Sequence, residues 1–396
     1  MTTSTDTAFF KRVKRLVIGP PHAFFVPVPP GLENLCFDEL ARLLDPSVKL
    51  EAVSGGVEFT GRLADLYAGS LHLRYANRIL LRLKSFQATN FRRLERNFSR
   101  IPWELYLFAD SPLSVRTTAR HSRLFHSDAV SGYAQRAIGE RLASAGVSSG
   151  EPDAASFKQT LFVRVEDDRV ALSLDGSGAH LHKRGIKDYP AAAPIRETLA
   201  AAVLKWAGYR PEMALIDPMC GSGTFSLEAA MEVKGLPPGY FRQFSFMGWP
   251  AFRSRQWTYL KRAAESGIRR LQQPSIFASD KDQAAVARLA GCVERNDLSD
   301  AVSVCGRDFF DFSPGDFTDR TGLVILNPPY GRRIGSRSES GGLVTDIFEK
   351  LKKSYRGWSF ALMAPEEALK ESPPDSRRFR LQHGGIRLHL LTGRIR

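Results

Sequence analysis

Apolar positions along the chain fall into two regimes. Up to about residue 180, short apolar stretches alternate with polar residues and are broken by glycine and proline. Beyond residue 190, continuous apolar runs of four or five residues alternate with segments of helical period. In the first regime Ala23–Val28 has strand composition and ends at Pro29-Pro30-Gly31. Leu32–Leu44 follows with Leu35, Phe37, Leu40, Leu43 and Leu44 at helical spacing. Val53–Phe59 predicts two short strands about a Gly-Gly turn, Leu63–Ala68 a helix and Arg78–Leu83 a strand. Leu113–Ala119 reads as a strand, Asp128–Ala145 as an amphipathic helix and Ser144–Ala155, rich in Ser, Gly and Pro, as a loop. Leu161–Glu166 and Arg169–Leu174 form a hairpin about Asp167-Asp168.

The second regime predicts strands at Ala214–Asp217, Ser275–Ser279, Val302–Cys305, Gly322–Leu326 and Ser359–Met363. Helices alternate with them at Thr224–Val233, Gln283–Arg295 and Gly342–Tyr355. That alternation is the signature of an α/β, doubly wound parallel sheet. Residues 234–274 interrupt it with Pro237-Pro238, several aromatics and a basic helix. A domain boundary is placed within Lys183–Pro190. The length, 396 residues, suits two or three domains.

Composition changes this picture little. Hydrophobic residues at 43% and charged residues at 25% exclude a mostly disordered chain. No apolar stretch reaches 18 residues, so no transmembrane helix is expected. Leu16-Val17-Ile18, after four N-terminal cations, is too short for a secretory segment. Cys36, Cys220, Cys292 and Cys305 are far apart, with no CxxC pair. They point away from a disulfide framework and from zinc, and toward a reducing cytoplasm with no metal.

Charge adds more. Lys and Arg number 56 against 42 Asp and Glu, a net +14, of which +6 lies in residues 1–190 and +8 in the rest. Both halves therefore suit a polyanionic partner, chiefly nucleic acid. Arg92, Arg93, Arg96 and Arg100, interleaved with Phe91, Phe98 and Trp103, combine charge with stacking surface as RNA contacts do. The same cluster also reads as a solvated helix face. Arg123, between His121 and His126, is a second candidate RNA contact.

The strongest local signal is Asp217-Pro218-Met219-Cys220-Gly221-Ser222-Gly223-Thr224, which follows an apolar strand and opens a helix. Gly221 and Gly223 permit a tight turn and close approach to a ligand. The turn lies where ligands of such sheets bind, beyond the strand ends. It matches neither the phosphate-cradling GxxxxGK[ST] nor the dinucleotide GxGxxG pattern. Asp280 closes the next strand, where an acid can accept from both hydroxyls of a ribose. Asp308, after the third, can hold an adenine amino group or cap a helix. Asn327-Pro328-Pro329-Tyr330 ends the fourth strand. There Asn327 and the Pro328 carbonyl can grip a planar amine, and Tyr330 can stack on a base drawn from its stack. Cys220 reads as a small packing residue.

The strings Asp217–Thr224 and Asn327–Tyr330 together resemble class I S-adenosylmethionine-dependent amino-methyltransferases. Pro194–Ala201 resembles the extra cofactor motif of that class. The segments Gly31-Leu32-Glu33, Gly55–Phe59 and Leu181–Gly185 are similar to a bacterial family with a ferredoxin-like and THUMP RNA-binding region ahead of the methyltransferase domain; the 23S rRNA guanine-N2 methyltransferases match best. The resemblance implies a ferredoxin-like region at 23–84, a THUMP RNA-binding domain at 66–180 and a Rossmann-like methyltransferase domain at 188–396. It implies methyl transfer from S-adenosyl-L-methionine to an exocyclic amine of an RNA base, with 23S rRNA or a large-subunit precursor as partner and no membrane. A tRNA guanine or a DNA adenine as target, and a non-catalytic RNA-binding protein, are the alternatives. By the same resemblance Pro194, Glu197, Thr198, Asp217, Met219, Gly221, Gly223, Thr224, Asp280 and Asp308 bind the cofactor. Asn327, Pro328 and Tyr330 act at the amine.

Overall fold

The computed structural model describes residues 4–149, 156–189, 195–329, 337–369, 376–383 and 386–396. The chain divides into two units. The first comprises Met1–Lys183 and Gly239–Ala263, the second Arg184–Pro238 and Ala264–Arg396. No helix among the described residues is long and apolar enough to cross a membrane.

The first unit opens with α1 (Ser4–Val13), which runs into one π-helical turn at Lys14–Ile18; the sequence pattern did not disclose either. Then follow β1 (His22–Pro27), α2 (Glu33–Leu43), β2 (Leu50–Val53), β3 (Gly56–Gly61), α3 (Leu63–His72), β4 (Leu80–Gln87), α4 (Phe91–Ser99), β5 (Leu113–Arg120), α5 (Ser127–Ala145), β6 (Gln159–Glu166) and β7 (Arg169–Asp175). All seven strands make one sheet in the order β2-β3-β1-β4-β7-β6-β5. β4 is its joint. Leu80 and Leu81 pair with Phe25 and Phe24 of β1, and the strand pairs along its length with β7. A regional boundary at residue 84 thus falls inside a strand that both halves share.

Period-two burial is clear in β6, where Leu161, Val163 and Val165 are buried and Arg164 is exposed. The hairpin turn holds Asp167 and Asp168 at φ 50° and 60°, the two left-handed residues that a tight hairpin loop requires. In α4, Leu94 and Phe98 face inward while Arg92, Arg93 and Arg96, and Arg100 just past its end, are exposed. Trp103 stacks on Phe98 at 5.9 Å, and its Nε1 donates to the Phe98 carbonyl at 2.8 Å. Phe98 and Trp103 are therefore core, not the stacking surface expected of them, because both rings are needed to seat α4. Phe91 stacks on Tyr133 of α5 at 4.6 Å.

The second unit contains α6 (Glu197–Trp206), β8 (Ala214–Asp217) and α7 (Thr224–Val233). An excursion carrying α8 (Ser254–Glu265) comes next. The unit resumes with β9 (Ile276–Ser279), α9 (Gln283–Arg295), β10 (Val302–Cys305), β11 (Gly322–Leu326), α10 (Arg337–Ser354), β12 (Ser359–Ala364), β13 (Arg377–His383) and β14 (Ile386–Arg394). Its sheet runs β10-β9-β8-β11-β12-β14-β13. The first five strands in that order are parallel; β14 and β13 are antiparallel additions that the pattern did not disclose. β8 and β11 are buried throughout, which is why each reads as a continuous apolar run. The chain order reverses between these two strands, so the crevice beyond their carboxyl ends is a topological switch point.

The excursion corrects the expected boundary. Residues 239–263 pack within the first unit. Trp257 of α8 meets Phe244, Phe246 and the Tyr67 ring of α3 at 5.5, 5.6 and 6.4 Å. Trp249 Nε1 donates to Gln159 Oε1 at 2.9 Å. Arg242 donates to the carbonyls of His180 and Ala179 at 2.9 and 2.8 Å. A single cut between residues 183 and 190 does not separate the two units.

Arg184, at the head of the second unit, meets Glu228 of α7 through two hydrogen bonds, Nε to Oε1 at 2.8 Å and Nη2 to Oε2 at 3.3 Å, with side chains 3% and 2% exposed. Removing one partner of such a pair leaves an uncompensated buried charge. We expect Glu228→Ala to destabilise this unit by about 3–5 kcal/mol, read as a fall in the urea midpoint. A change below about 1 kcal/mol, the range of an exposed pair, would show that the pair does not anchor α7.

Candidate functional site

The site assembles at the switch point because three strands end there together. β8 ends in Asp217, β9 is followed by Asp280 and β11 by Asn327. Between β8 and α7 the chain turns through Gly221 at φ 51° and Gly223 at φ 69°, conformations that strongly favour glycine. The Cys220 N–H donates to the Ser279 carbonyl at 3.0 Å, drawing the turn across β9. The Gly223 N–H closes it on the Cys220 carbonyl at 2.7 Å.

The two glycines serve different ends. A Cβ at Gly221 would stand in open space, on the wall of the cavity. A Cβ at Gly223 would run into the Leu289 side chain of α9. Gly223 is thus required by helix packing and by its φ, and the expectation that it clears the ligand's path is corrected.

The cavity has a volume of ≈ 450 Å³ and is lined by Met219, Gly221, Thr224, Asp280, Asp308 and Asn327, among others. That size suits a drug-sized or cofactor-sized molecule. Asp280 Oδ2 accepts from the Gly221 N–H at 2.8 Å and Oδ1 from the Asp282 N–H at 3.0 Å. A carboxylate has about four acceptor sites, so Asp280 keeps two for hydroxyls. Asp308 Oδ1 accepts from the Phe310 N–H at 3.0 Å, capping a short 3₁₀ turn, and the residue also faces the cavity. The cap expected of it from sequence is present. Asn327 Oδ1 is buried and has no hydrogen-bond partner among the described residues. An orphaned acceptor on a cavity wall is costly unless a donor arrives with the ligand.

Four of the expected residues stand elsewhere. Asp217 lies beneath the turn, fully buried, its Oδ2 accepting from Ser226 Oγ at 2.7 Å. Thr198 is fully buried in α6 and is not on the cavity wall. Glu197 pairs with Lys187 at 3.2 Å. Pro328 is buried at the strand end. Pro194 and Tyr330 lie outside the described residues.

Sequence reasoning missed several wall and support residues. Lys187 Nζ donates to Thr224 Oγ1 at 2.7 Å while pairing with Glu197, so one cation ties the α6 and α7 starts together. The Tyr189 hydroxyl donates to the Ser222 carbonyl at 3.0 Å. Phe310, 39% exposed, offers the cavity an apolar face. Lys187 and Tyr189 lie just past Leu181–Gly185, and Phe310 is two residues past Asp308, so proximity to those motifs was the available signal. Cys220 is buried near the Asp217 and Asp280 carboxylates, and its thiol is pushed well above its ordinary range. It is a packing residue and not a thiolate nucleophile.

The family model UPF0020, described as an RMKL-like methyltransferase domain, matches residues 184–389, and a model of the RlmL ferredoxin-like domain matches residues 23–80. A Synechocystis sp. chain described as a candidate RNA methyltransferase, slr0064, is 32% identical over 389 residues, 98% of this chain and 98% of that one. The ribosomal RNA large subunit methyltransferase K/L of Syntrophotalea carbinolica is 32% identical over 393 residues, 94% of this chain and 53% of that protein. The chain thus spans about half the length of the K/L relative. A solved Listeria monocytogenes structure, assigned by prediction as an N6-adenine-specific DNA methylase, superposes with a TM-score of 0.80 at 26% identity, covering 93% of this chain and 96% of that one.

Burial, ahead of the nearby Asp280 charge, pushes the Asp217 carboxyl up to about 7, although the Ser226 bonds work in the opposite direction. The folded protein therefore keeps a proton that the unfolded chain releases near pH 4. This contribution to stability is complete below about pH 4 and is lost as pH rises to about 7. We expect Asp217→Asn, which does not titrate, to gain stability relative to the parent between pH 5 and pH 8. Urea midpoints at both pH values measure it. A difference that does not change with pH would contradict the assignment.

Proposed function

The chain belongs to the UPF0020 family of RMKL-like methyltransferase domains, and from that premise we propose that it transfers a methyl group from S-adenosyl-L-methionine to an exocyclic amine of an RNA base. Guanine N2 of large-subunit (23S) rRNA is the first target we propose, in the cytoplasm. The observation that carries the reading is Asn327 Oδ1, a buried acceptor without a partner, in one cavity with the Gly221 turn and Asp280.

The residues present fit the cofactor. Gly221 leaves its side of the wall clear. Asp280 retains acceptor capacity for the ribose hydroxyls. Asp308 and the Phe310 face suit an adenine. Glu197, Thr198 and Pro194 we assign to the support of the methionine end, with Lys187 holding Glu197 against Thr224. When bound, the cofactor supplies an electrophilic methyl carbon on a sulfonium. The chain's own work is alignment. Asn327 Oδ1 and the Pro328 carbonyl accept from the two amine protons and direct the nitrogen toward the methyl carbon. Tyr330 stacks on the base. No strong base is needed before methyl transfer, because the amine proton becomes acidic only once the methyl is gained. We assign RNA capture to the THUMP-like region, residues 66–180, with Arg92, Arg93, Arg96, Arg100 and Arg123 as contacts. The Listeria relative keeps DNA adenine N6 as a second reading; mass spectrometry of nucleosides from treated 23S rRNA, tRNA and DNA separates the targets.

Contacts made mainly in the transition state affect turnover more than binding. We expect Asn327→Ala to keep its cofactor and RNA affinities and to lose roughly 100-fold or more in single-turnover rate on 23S rRNA fragments. A parental rate would refute the amine-gripping role. Gly221→Val should weaken S-adenosylmethionine binding by at least tenfold, about 1.4 kcal/mol, because its side chain enters the cavity. Calorimetry showing parental affinity would remove the cofactor from this site.

A further inference from the structure

The outward face of β5 and β6 lies in the first unit and has no part in the cavity just described. α5 covers the opposite face. Thr117 of β5 hydrogen-bonds Ser131 of α5 at 2.8 Å, and Val163 and Val165 are buried. The pleat therefore turns Arg116, Thr118 and Arg120 together to the uncovered side, and the register sets Thr118 opposite Arg164 and Arg120 opposite Glu166. Thr118, Arg120, Arg164 and Glu166 line a groove of ≈ 330 Å³. Arg164 pairs with Glu166 at 2.6 Å, while the Arg116 and Arg120 guanidinium groups have no ion pair or hydrogen-bonded acceptor among the described residues.

β5 leads directly into a loop that displays an aromatic ring. Phe125 is 64% exposed, its ring 4.0 Å from that of His126. The loop is held in three places. Leu124 is buried. The Arg123 N–H donates to Asp168 Oδ1 at 2.8 Å. The Asp168 N–H donates to Ser122 Oγ at 3.1 Å. Arg123, 73% exposed and paired with Asp168 at 3.6 Å, adds a fourth cation. Arginines alone on an edge strand are accounted for by protection against edge pairing. That function does not require a groove, nor a phenyl ring held in solvent by the loop that follows the strand.

We propose that this face binds an unpaired RNA segment, its phosphates following Arg116, Arg120 and Arg164 and one base stacking on Phe125. The choice of RNA rests on the function proposed above. The choice of an unpaired segment rests on the ring, whose face is reached only by a base outside a duplex stack.

The test uses the full chain in fluorescence anisotropy. One probe is a labelled single-stranded RNA of roughly twelve nucleotides, within usual site sizes; the other is a blunt RNA hairpin. Phe125→Ala should weaken single-strand binding about tenfold or more and leave hairpin binding, cofactor affinity and Tm unchanged, and Phe125→Trp should restore it. Arg116→Ala and Arg120→Ala should each reduce the salt slope by about 0.7, the value for one phosphate contact on a single strand. Parental affinity of Phe125→Ala for the single strand, or an equal loss on the hairpin, overturns the site while the RNA reading stands. Failure of the parent to bind either probe overturns both.

Discussion

One hydrogen bond organises the proposed active site. The Gly221 N–H donates to the Asp280 carboxylate, fastening the turn that follows β8 to the end of β9. The other Asp280 oxygen takes the Asp282 N–H, and Asp282 in turn accepts from the Ala284 and Ala285 N–H groups at the start of α9. The Asp280 carboxylate thereby fixes a glycine-rich turn and its own orientation, and the Asp282 carboxylate that it holds fixes the head of a helix. Without it, the two left-handed glycines would leave the turn with many alternatives. The cavity wall would then lose its shape before any ligand arrived.

The arrangement crowds acidic groups, and the protein resolves the crowding by burial. Asp217 lies under the turn with Asp280 nearby, and desolvation favours its neutral form. Asp280 is only half-buried and carries its hydrogen bonds from backbone donors. Two carboxylates close together thus take different roles. The lower one braces Ser226 inside α7, and the upper one lines the cavity. Lys187 supplies the compensating cation from the segment before α6.

Much of this was legible in the chain. β8, α7, α9, β10 and β11 have the limits that the sequence pattern implies, and β8 and β11, buried on both faces, admit almost no polar residue. The placement of Asp280 and Asn327 followed, because each is the first residue past a predicted strand. Other features were not legible. Gly223 looked like a ligand-clearing glycine because sequence cannot show that Leu289 stands behind it. Phe98 and Trp103 looked like an exposed stacking surface because arginines surround them in sequence, although Phe98 lies on the buried side of α4 and Trp103, past its end, stacks on it. β13 carries Arg377, Arg378 and Arg380 at the sheet edge, and that charge masked the alternation of Phe379 and Leu381.

The excursion at residues 239–263 has a consequence for how the chain folds during its synthesis. The N-terminal sheet emerges first, but Trp249 and Trp257, which cover Gln159 and Tyr67, follow about 70 residues after Lys183. At 5–20 residues per second, translation takes roughly 3.5–14 s to supply them. Through that interval the nascent first unit presents an uncovered aromatic seam, and β8 and α7 have already left the ribosome without β9 beside them. The two units are therefore completed almost together, late, and in an interleaved order. A holdase chaperone would find its substrate in that window, and synonymous codons that change local translation speed between residues 184 and 263 would alter the yield of folded protein without altering one side chain.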